Sequence, residues 1–322
     1  MRPEHPAAPA GMEELLRRFS WPALRRLGVH LGGAEQSRVR GPGLEYSDAR
    51  EYAPGDDVRL IDWNLTARSD RPFVKDSFPE RALDAWLVLD LSPSMAWGTA
   101  RCLKGQLATE MAVAASELLS RGGNRVGVVL FGGGPPAIVP PRAGRVHRLR
   151  TLAGLEATVR RAGEPVAPGV TGLTETLERL ERVAGRRGLV ILVTDFLADA
   201  GWERPLARMS LRHEIVAVHV TDPRESSIPA IGVVTFEDPE TGAQLTVDTT
   251  SARLRARFAE AAERQQADIR ERLRRCRVDV LPISTDEELV PRLGRFLLGR
   301  RAMRTLRGPR AWDGAAIPIP AR

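Results

Sequence analysis

The fold of this chain is decided by residues 85–94, AWLVLDLSPS. Their first half, Ala85–Leu89, is a short uninterrupted apolar run, which is the pattern of a β-strand buried on both faces of a sheet. Their second half places Asp90, Ser92 and Ser94 directly after that strand. In open α/β sheets, functional groups gather outside the carboxyl ends of the strands. The stretch therefore predicts both a central strand and a candidate site at its end.

Apolar runs and helical patterns alternate on the carboxyl-terminal side of this stretch. Leu103–Leu119 has a helical period, and Val126–Phe131 is a second buried run. After a turn rich in glycine and proline, Ile138-Val139 predicts an edge strand of opposite direction. The alternation continues with helices at about 146–159 and 173–183, a strand at Leu189–Val193, a short helix at Leu206–Met209 and a strand at Ile215–Val220. This rhythm predicts an α/β fold with a doubly wound, mostly parallel sheet.

A different pattern follows residue 230. Ile231–Phe236 and Gln244–Val247 flank a turn and indicate a β-hairpin. The hairpin interrupts an otherwise regular α/β alternation. The pattern then closes with a long helix at about Ser251–Arg275, a strand at Val278–Ile283 and a helix at Glu287–Leu298.

Four segments follow from these patterns. We interpret residues 1–37 as an N-terminal tail with a short helix, residues 82–303 as the main α/β domain and residues 304–322 as a flexible tail. Residues 38–81 are polar, turn-rich and dotted with aromatic residues, and they predict a β-rich extension packed on the main domain. In this extension, Trp63 is predicted to be part of the core.

The composition is that of a packed protein without a disulfide or zinc framework. The chain has 322 residues, of which 43% are hydrophobic and 28% charged, and this is too apolar for a disordered chain. Two cysteines cannot form a disulfide framework or a zinc cage. The N-terminal residues lack the apolar core of a signal peptide, and the longest uncharged run is broken by glycine and proline. We therefore expect a cytoplasmic protein without a membrane segment.

The net charge of +7 is concentrated in residues 251–310, which contain 16 arginines and eight acidic residues. An arginine-rich surface of this kind can bind nucleic acid. The spacings Glu260–Arg264 and Asp268–Arg272, however, predict ion pairs on a solvated helix, and aromatic residues for base stacking are nearly absent. We therefore predict no nucleic-acid partner. The positive charge of residues 251–310 is at least as compatible with an acidic partner protein. Among the 48 cationic residues, only Lys75 and Lys104 are lysines.

Asp90, Ser92 and Ser94 form the sharpest chemical signal. Residues two apart on an extended loop share a face, so the three side chains place their oxygen atoms together. One carboxylate with two hydroxyls is a weak nucleophilic set, but it is a partial ligand shell for a hard divalent cation such as Mg²⁺. Two further element boundaries supply oxygen atoms, because Asp195 follows the most hydrophobic strand and Thr171 lies in a glycine-flanked turn before a helix.

This arrangement resembles the metal-ion-dependent adhesion site of a von Willebrand factor A domain. Residues 50–63 (REYAPGDDVRLIDW), residues 66–68 (TAR) and residues 238–242 (DPETG) resemble the bacterial family called domain of unknown function 58. The similarity runs from about Gly41 to Met303 and covers most of the chain.

The resemblance implies a von Willebrand factor A-like fold and a non-enzymatic protein-interaction module. It implies that a partner protein presents an acidic side chain to a bound Mg²⁺, or to Mn²⁺ or Ca²⁺ in its place. Proteins of the family are similar to those acting beside MoxR-type AAA+ ATPases, so an adaptor role in client remodelling or maturation is implied as well. The metal ligands implied by the resemblance are Asp90, Ser92, Ser94, Thr171 and Asp195.

Two other functions remain open from the residues. An aspartate after a first strand is also the nucleophile of haloacid-dehalogenase-type phosphatases, so a metal-dependent phosphatase or hydrolase using Asp90 is one alternative. Such enzymes need a second acid two residues later, and Ser92 occupies that position. The arginine-rich nucleic-acid binder is the other alternative. The sequence contains neither a P-loop motif nor a Gly-x-Ser-x-Gly motif.

Overall fold

The structure is a computed structural model of the chain. It describes residues 46–53, 58, 61–69, 71–77, 82–121, 123–132, 136–144, 147, 150–151, 153–154, 172–197, 201–238 and 241–307. These residues belong to two units, a small one up to residue 82 and a large one from residue 83 onward. The short helix predicted within residues 1–37 lies outside the described residues.

The small unit contains an antiparallel pair of strands. Strand β1 (Tyr46–Glu51) pairs with β2 (Phe73–Ser77), and a single helical turn, α1 (Trp63–Thr66), lies between them in the chain. The prediction that Trp63 is part of a core is wrong, because its side chain is 69% exposed. Trp63 stands at the start of a helix of one turn, which has no second turn to cover it. Val74 on β2 is buried instead.

A six-stranded sheet forms the centre of the large unit. The strands follow the spatial order β10-β7-β6-β3-β4-β5, and every neighbouring pair is parallel except β4 with β5. The doubly wound, mostly parallel sheet predicted from the sequence is therefore confirmed, and so is the reversed edge strand. The strands of the large unit are β3 (Asp84–Asp90), β4 (Arg125–Phe131), β5 (Ala137–Arg142), β6 (Gly188–Thr194), β7 (Glu214–Thr221), β8 (Val233–Glu237), β9 (Gln244–Asp248) and β10 (Asp279–Ser284).

Helices cover both faces of this sheet. Alternate residues of a strand point to opposite faces, so Leu87 packs in one core and its neighbour Val88 in the other. The first core contains side chains of α2 and α7, and the second contains side chains of α3, α4 and α6. The helices are α2 (Lys104–Arg121), α3 (Leu173–Val183), α4 (Glu203–Ser210), α5 (Pro223–Ser226), α6 (Ala252–Arg275) and α7 (Leu289–Arg307).

The carboxyl-terminal elements agree with the sequence patterns except at the last helix. Strands β8 and β9 form the predicted hairpin. Helix α7 continues to Arg307, beyond the predicted end at Leu298. The reason is tertiary, because the buried guanidinium of Arg300 pairs with Glu214 of β7 and Asp279 of β10 and anchors the helix to the sheet.

Most of the helix predicted at 146–159 lies outside the described residues. Among the residues that are described, no helix combines the length and the apolar character needed to span a bilayer.

Candidate metal site

The candidate site begins with Asp90, the last residue of β3. Its carboxylate is only 1% exposed. One oxygen, Oδ1, accepts the backbone N–H of Ser92 at 2.8 Å, and the other, Oδ2, accepts the hydroxyl of Thr194 at 2.5 Å. Thr194 ends the neighbouring strand β6. The carboxylate is therefore held from two adjacent strands at the carboxyl edge of the sheet.

The two serines of the predicted motif lie beside this carboxylate. The hydroxyl oxygens of Ser92 and Ser94 are 3.0 Å apart. Pro93 starts a short 3₁₀ turn, Pro93–Ala96, and the N–H of Met95 donates to the carbonyl of Ser92 to close it. The turn brings both hydroxyls to the cavity that Asp90 also lines. The predicted grouping of three oxygen-bearing side chains is thus present.

Gly132 allows the loop to approach the next strand. It follows β4 with a φ of +89°, and a methyl group in its place would stand 2.4 Å from the backbone nitrogen of Ser92 and 3.0 Å from Asp90 Oδ1. Only glycine is compatible with both the backbone angle and the close contact. Gly132 belongs to the turn rich in glycine and proline that the sequence predicts here, but its role in shaping the site was not predicted.

Asp195, the first residue after β6, lies in the same cavity but has a different partner. Its Oδ1 accepts the N–H of Leu197 at 3.0 Å. Its Oδ2 accepts the ammonium of Lys104 at 2.7 Å. The same ammonium lies 2.6 Å from Oε1 of Glu225. Lys104 is itself 1% exposed, so an ion triad is enclosed beside the predicted metal ligands.

Glu225, one of the two acidic members of this triad, is held in place by a helix cap. Glu225 lies in α5, and its second carboxylate oxygen accepts the N–H of Asp222 at 3.0 Å. Asp222 in turn accepts the N–H of Arg224, which completes a reciprocal capping box. Burial lowers the pKa of Lys104, but the charges of Asp195 and Glu225 outweigh burial and raise it, so the side chain is an ammonium.

Asp90 is the group in the site that lacks a compensating charge. Among the described residues, no lysine, arginine or histidine forms an ion pair with it. Burial, together with the negative charge of Asp195, raises the pKa of Asp90 to about 6, even though the hydrogen bonds from Ser92 and Thr194 act in the opposite direction. A cation placed next to Asp90 would relieve both the burial and the repulsion.

The donor set fits a hard divalent cation. Asp90, Ser92 and Ser94 offer oxygen atoms only, which is the chemistry that Mg²⁺ and Ca²⁺ prefer. Within the described part of the chain, no group of three or more His, Cys, Asp and Glu side chains could hold a metal ion. Binding here therefore has to use the serine hydroxyls together with Asp90.

Four of the five predicted ligands are brought together by the structure. Asp90, Ser92, Ser94 and Asp195 line one cavity. Thr171 lies outside the described residues, although its neighbour Gly172 lines the same cavity. Whether these side chains hold a metal stays a prediction.

Sequence reasoning missed Lys104, Glu225 and Thr194 as parts of the site. One signal for Lys104 was present, because a lysine is unusual in a chain whose cations are almost all arginines. No local signal marks Glu225, which meets Lys104 from 121 residues away.

A cavity of about 1510 Å³ extends from these side chains to the hairpin. One apolar face of the hairpin, with Phe236, Leu245 and Val247, lines one wall, and Leu254 and Phe258 of α6 line another. Phe236 and Leu245 are still 43% and 64% exposed. The cavity is therefore an open groove with apolar walls, and the candidate metal ligands lie in it.

The charges along the groove come from both signs. Arg224, Arg253 and Arg257 line it, and no ion pair of theirs is present among the described residues. Glu237 and Asp238 lie at the hairpin end of the groove, where Glu237 accepts a hydrogen bond from Gln244. The helix side of the groove is thus the basic side.

The sequence family described as "Protein of unknown function DUF58" matches residues 48–268. An uncharacterized protein of Mycobacterium bovis is 38% identical over 293 residues, which make up 89% of this chain and 89% of that protein. An uncharacterized protein of Mycobacterium tuberculosis matches with the same identity and the same coverage.

Two solved structures are similar to this chain at low scores. The conserved hypothetical protein BatB from Bacteroides thetaiotaomicron is similar over 69% of this chain and 100% of its own, with 14% identity and a TM-score of 0.42. The VWA domain of SpRpn10 is similar over 66% of this chain and 94% of its own, with 11% identity and a TM-score of 0.33. Scores of this size carry no information on function.

Proposed function

The chain belongs to the DUF58 family of proteins of unknown function, and from the site at the carboxyl edge of its sheet we propose that it is a non-enzymatic, divalent-metal-dependent protein-interaction module. The cation would be Mg²⁺, or Mn²⁺ or Ca²⁺ in its place. Asp90, Ser92 and Ser94 would hold it, and Thr171 and Asp195 would act as further ligands, directly or through water. Its contribution would be a positive charge with an open position for an acidic side chain of the partner.

One observation carries this proposal. Asp90 is a buried carboxylate that has hydrogen bonds but no cationic partner among the described residues, and it stands beside two hydroxyls at an open groove. A buried charge without a counter-charge is costly. A cation from solution is the group that would offset this cost, while leaving the hydroxyls and the groove in place.

The same geometry argues against turnover at Asp90. Asp90 is 1% exposed, and its two oxygens accept hydrogen bonds from Ser92 and Thr194, neither of which is an acid or base that could assist a leaving group. Position 92, where a phosphatase of this kind needs an acid, holds a serine whose hydroxyl contacts Ser94. The phosphatase alternative therefore has no acid–base residue at the expected place.

The groove supports a protein as the ligand, and an acidic one. Its walls are apolar, and the arginines Arg224, Arg253 and Arg257 line it without ion pairs of their own among the described residues. A partner segment with one carboxylate at the metal, apolar side chains in the groove and further acids toward these arginines would match all three features. We propose, from the family resemblance alone, that this partner belongs to a system with a MoxR-type AAA+ ATPase.

The nucleic-acid alternative receives no specific support from helix α6. Arg264 lies 2.8 Å from Glu260, and Arg272 lies 3.5 Å from Asp268, as the spacings predict. Arg264 is paired within its own helix, and Arg272 is paired with both Asp268 and Glu203 of α4, so the part of α6 that contains these two arginines is not a free basic strip.

The proposal is tested by metal binding and partner capture on the same set of proteins. Wild-type protein should bind Mn²⁺, and Asp90→Ala should abolish this binding, whereas Asp286→Ala, which removes an exposed carboxylate, should not. In a pull-down from native lysate, wild type and Asp286→Ala should retain the same partner, and chelator or Asp90→Ala should release it.

Three results would contradict the proposal. One is the absence of Mn²⁺ binding to wild-type protein. Another is hydrolysis of phosphate esters that disappears in Asp90→Ala. The third is DNA binding that falls steeply with salt but does not respond to chelator.

A further inference from the structure

Lys104 places a fixed positive charge inside the candidate metal site. Its Nζ atom lies 2.7 Å from Asp195 Oδ2, 2.6 Å from Glu225 Oε1 and 6.0 Å from the ring centroid of Trp97. An ammonium has three donors and no acceptor, so it cannot itself ligate a cation. With 1% exposure, it is also out of reach of a partner protein.

This ammonium and a divalent cation would compete for the carboxylate of Asp195. Asp195 donates nothing and has two oxygens, and both already accept hydrogen bonds, one from Lys104 and one from the N–H of Leu197. Like charges repel, and the repulsion between buried charges is screened less than it is in bulk water; Lys104 and Asp90 are both 1% exposed and line the same cavity. A cation bound next to Asp90 therefore meets a fixed positive charge instead of a free second carboxylate.

We propose that Lys104 is a built-in competitor of the metal, which keeps Asp195 as its own counter-ion and so weakens the binding of a divalent cation to Asp90, Ser92 and Ser94. This inference rests on the proposed function, since it concerns the cation which that function requires. A carboxylate from a partner supplies the negative charge that Lys104 has neutralised. Metal and acidic partner then bind cooperatively, each strengthening the other by the same factor.

The residue type supports this assignment. The chain uses arginine at all but two of its 48 cationic positions, yet a lysine occupies this one. An ammonium is a compact point charge on a flexible stem, whereas a guanidinium is a planar fork with five donors. The enclosed space between Asp195 and Glu225 suits the smaller group.

The test compares the affinity of three full-length proteins for Mn²⁺, measured from the electron paramagnetic resonance signal of the free ion. They are wild type, Lys104→Met and the double variant Lys104→Met/Glu225→Gln. Both variants should bind Mn²⁺ at least about tenfold more tightly than wild type, because a neighbouring positive charge is removed. The double variant has the wild-type net charge, so its tighter binding would come from the release of Asp195.

The double variant also protects the test against misfolding. Lys104→Met alone leaves two acids without their cation, whereas the double variant leaves one, and a glutamine in place of Glu225 can still complete the capping box. Thermal unfolding monitored by circular dichroism checks that each protein is folded. Arg125→Met is the matched control, because it removes the cation of the Arg125–Asp84 ion pair at the opposite end of the same sheet. It should leave the Mn²⁺ affinity unchanged.

The outcomes separate this inference from the proposed function. Equal dissociation constants for wild type and the Lys104 variants would overturn the inference and leave the proposed function standing. If neither wild type nor the variants bind Mn²⁺, both are overturned. If only the Lys104 variants bind it, Lys104 does exclude the metal, and the metal-dependent function is wrong.

Discussion

At the scale of single residues, the two aspartates of the site are neutralised in different ways. Asp195 has an ammonium at 2.7 Å, whereas Asp90 has only neutral donors, from Ser92 and Thr194. Two carboxylates in one cavity repel each other. Because only Asp195 has a cationic partner among the described residues, Asp90 is the one that an external cation would stabilise more. This difference distinguishes Asp195, which has a counter-ion in the protein, from Asp90, although both lie at the carboxyl ends of central strands.

Replacing Asp90 by asparagine tests this distinction. Asparagine keeps the size of the side chain and can accept the Ser92 N–H, and it removes a buried charge, so the free energy of unfolding without metal should change by less than about 1 kcal/mol. Mg²⁺ should raise the melting temperature of wild type, and this rise should be absent in Asp90→Asn. Asp286→Asn should keep that rise. Equal stabilisation of Asp90→Asn by Mg²⁺ would remove Asp90 from the ligand set.

Gly132 supports the same loop by the absence of a side chain. A Gly132→Ala variant combines an unfavourable positive φ with a contact of 2.4 Å to the backbone of Ser92, and we expect a loss of more than about 2 kcal/mol in urea unfolding. Gly144→Ala is the matched control, because its φ is +103° but no heavy atom lies within 4 Å of the added methyl group. An equal loss in both variants would mean that the close approach at Gly132 contributes nothing.

At the scale of secondary-structure elements, Asp222 connects the ends of two strands with the segment that precedes α2. It follows β7, and its carboxylate accepts the hydroxyl and the N–H of Thr99, the hydroxyl of Thr285 and the N–H of Arg224. Thr99 lies in the segment between β3 and α2, and Thr285 directly follows β10. Although burial raises the pKa of Asp222, these hydrogen bonds outweigh it and hold the pKa below its ordinary value.

The Asp222→Asn variant should therefore be destabilised in a pH-dependent way. A carboxylate with a lowered pKa stabilises the folded chain above its unfolded pKa, and this contribution is lost as the pH falls through the folded pKa. We expect a loss of about 2 kcal/mol at neutral pH that shrinks as the pH falls below about 4. Urea unfolding at several pH values measures this. Asp248→Asn, which changes an exposed carboxylate bonded to Thr250, should have little effect, and a pH-independent loss in Asp222→Asn would contradict the assignment.

The hairpin β8–β9 has one apolar face and one polar face. Phe236 and Leu245 are directly paired on the face that lines the groove. Val233 is three residues from Phe236 and therefore points to the other face, where it is 69% exposed. The hairpin thus contains its own matched pair of sites for mutation.

Substitutions on the groove face should weaken partner capture, whereas a substitution on the other face should leave it unchanged. Phe236→Ser and Leu245→Ser should each lower the affinity for the metal-dependent partner at least about tenfold, because each removes an apolar contact in the groove. Neither should change the melting temperature. Val233→Ser should bind like wild type. Binding titrations with the captured partner measure this, and equal losses on both faces would exclude the groove as the contact.

At the scale of the whole molecule, the most buried strands and the proposed partner-contacting hairpin are different elements of the large unit. Every residue of β6 is buried, and β3 lies between β6 and β4 in the centre of the sheet. The hairpin forms a separate two-stranded sheet whose residues are mostly exposed. The hairpin face that we propose as a partner contact therefore lies outside the main sheet.

Amide hydrogen exchange should show this division directly. Protection of the backbone amides should be highest in β3 and β6, whose amides exchange only through the largest unfolding events. It should be lowest in β8 and β9. Mass spectrometry of peptides covering residues 84–90, 188–194 and 233–248 measures the difference. Comparable protection of the hairpin and β6 would mean that the hairpin belongs to the cooperative core.

The sequence by itself determined the alternation of strands and helices, the reversed edge strand β5 and the hairpin. These depend on local periodicity and on turn residues, which are readable within a window of a few residues. It also placed Asp90, Ser92, Ser94 and Asp195 at strand ends, because the carboxyl ends of parallel strands meet at one edge.

Only the tertiary structure decided how these groups are charged. Lys104 meets Asp195 across 91 residues and Glu225 across 121, and Arg300 extends α7 by pairing with two different strands. Such contacts have no period and no spacing in the sequence, since they depend on where folded elements place the tips of long side chains. Trp63 was misassigned for the same reason, because burial depends on the neighbours that folding brings, and apolar character alone does not supply them.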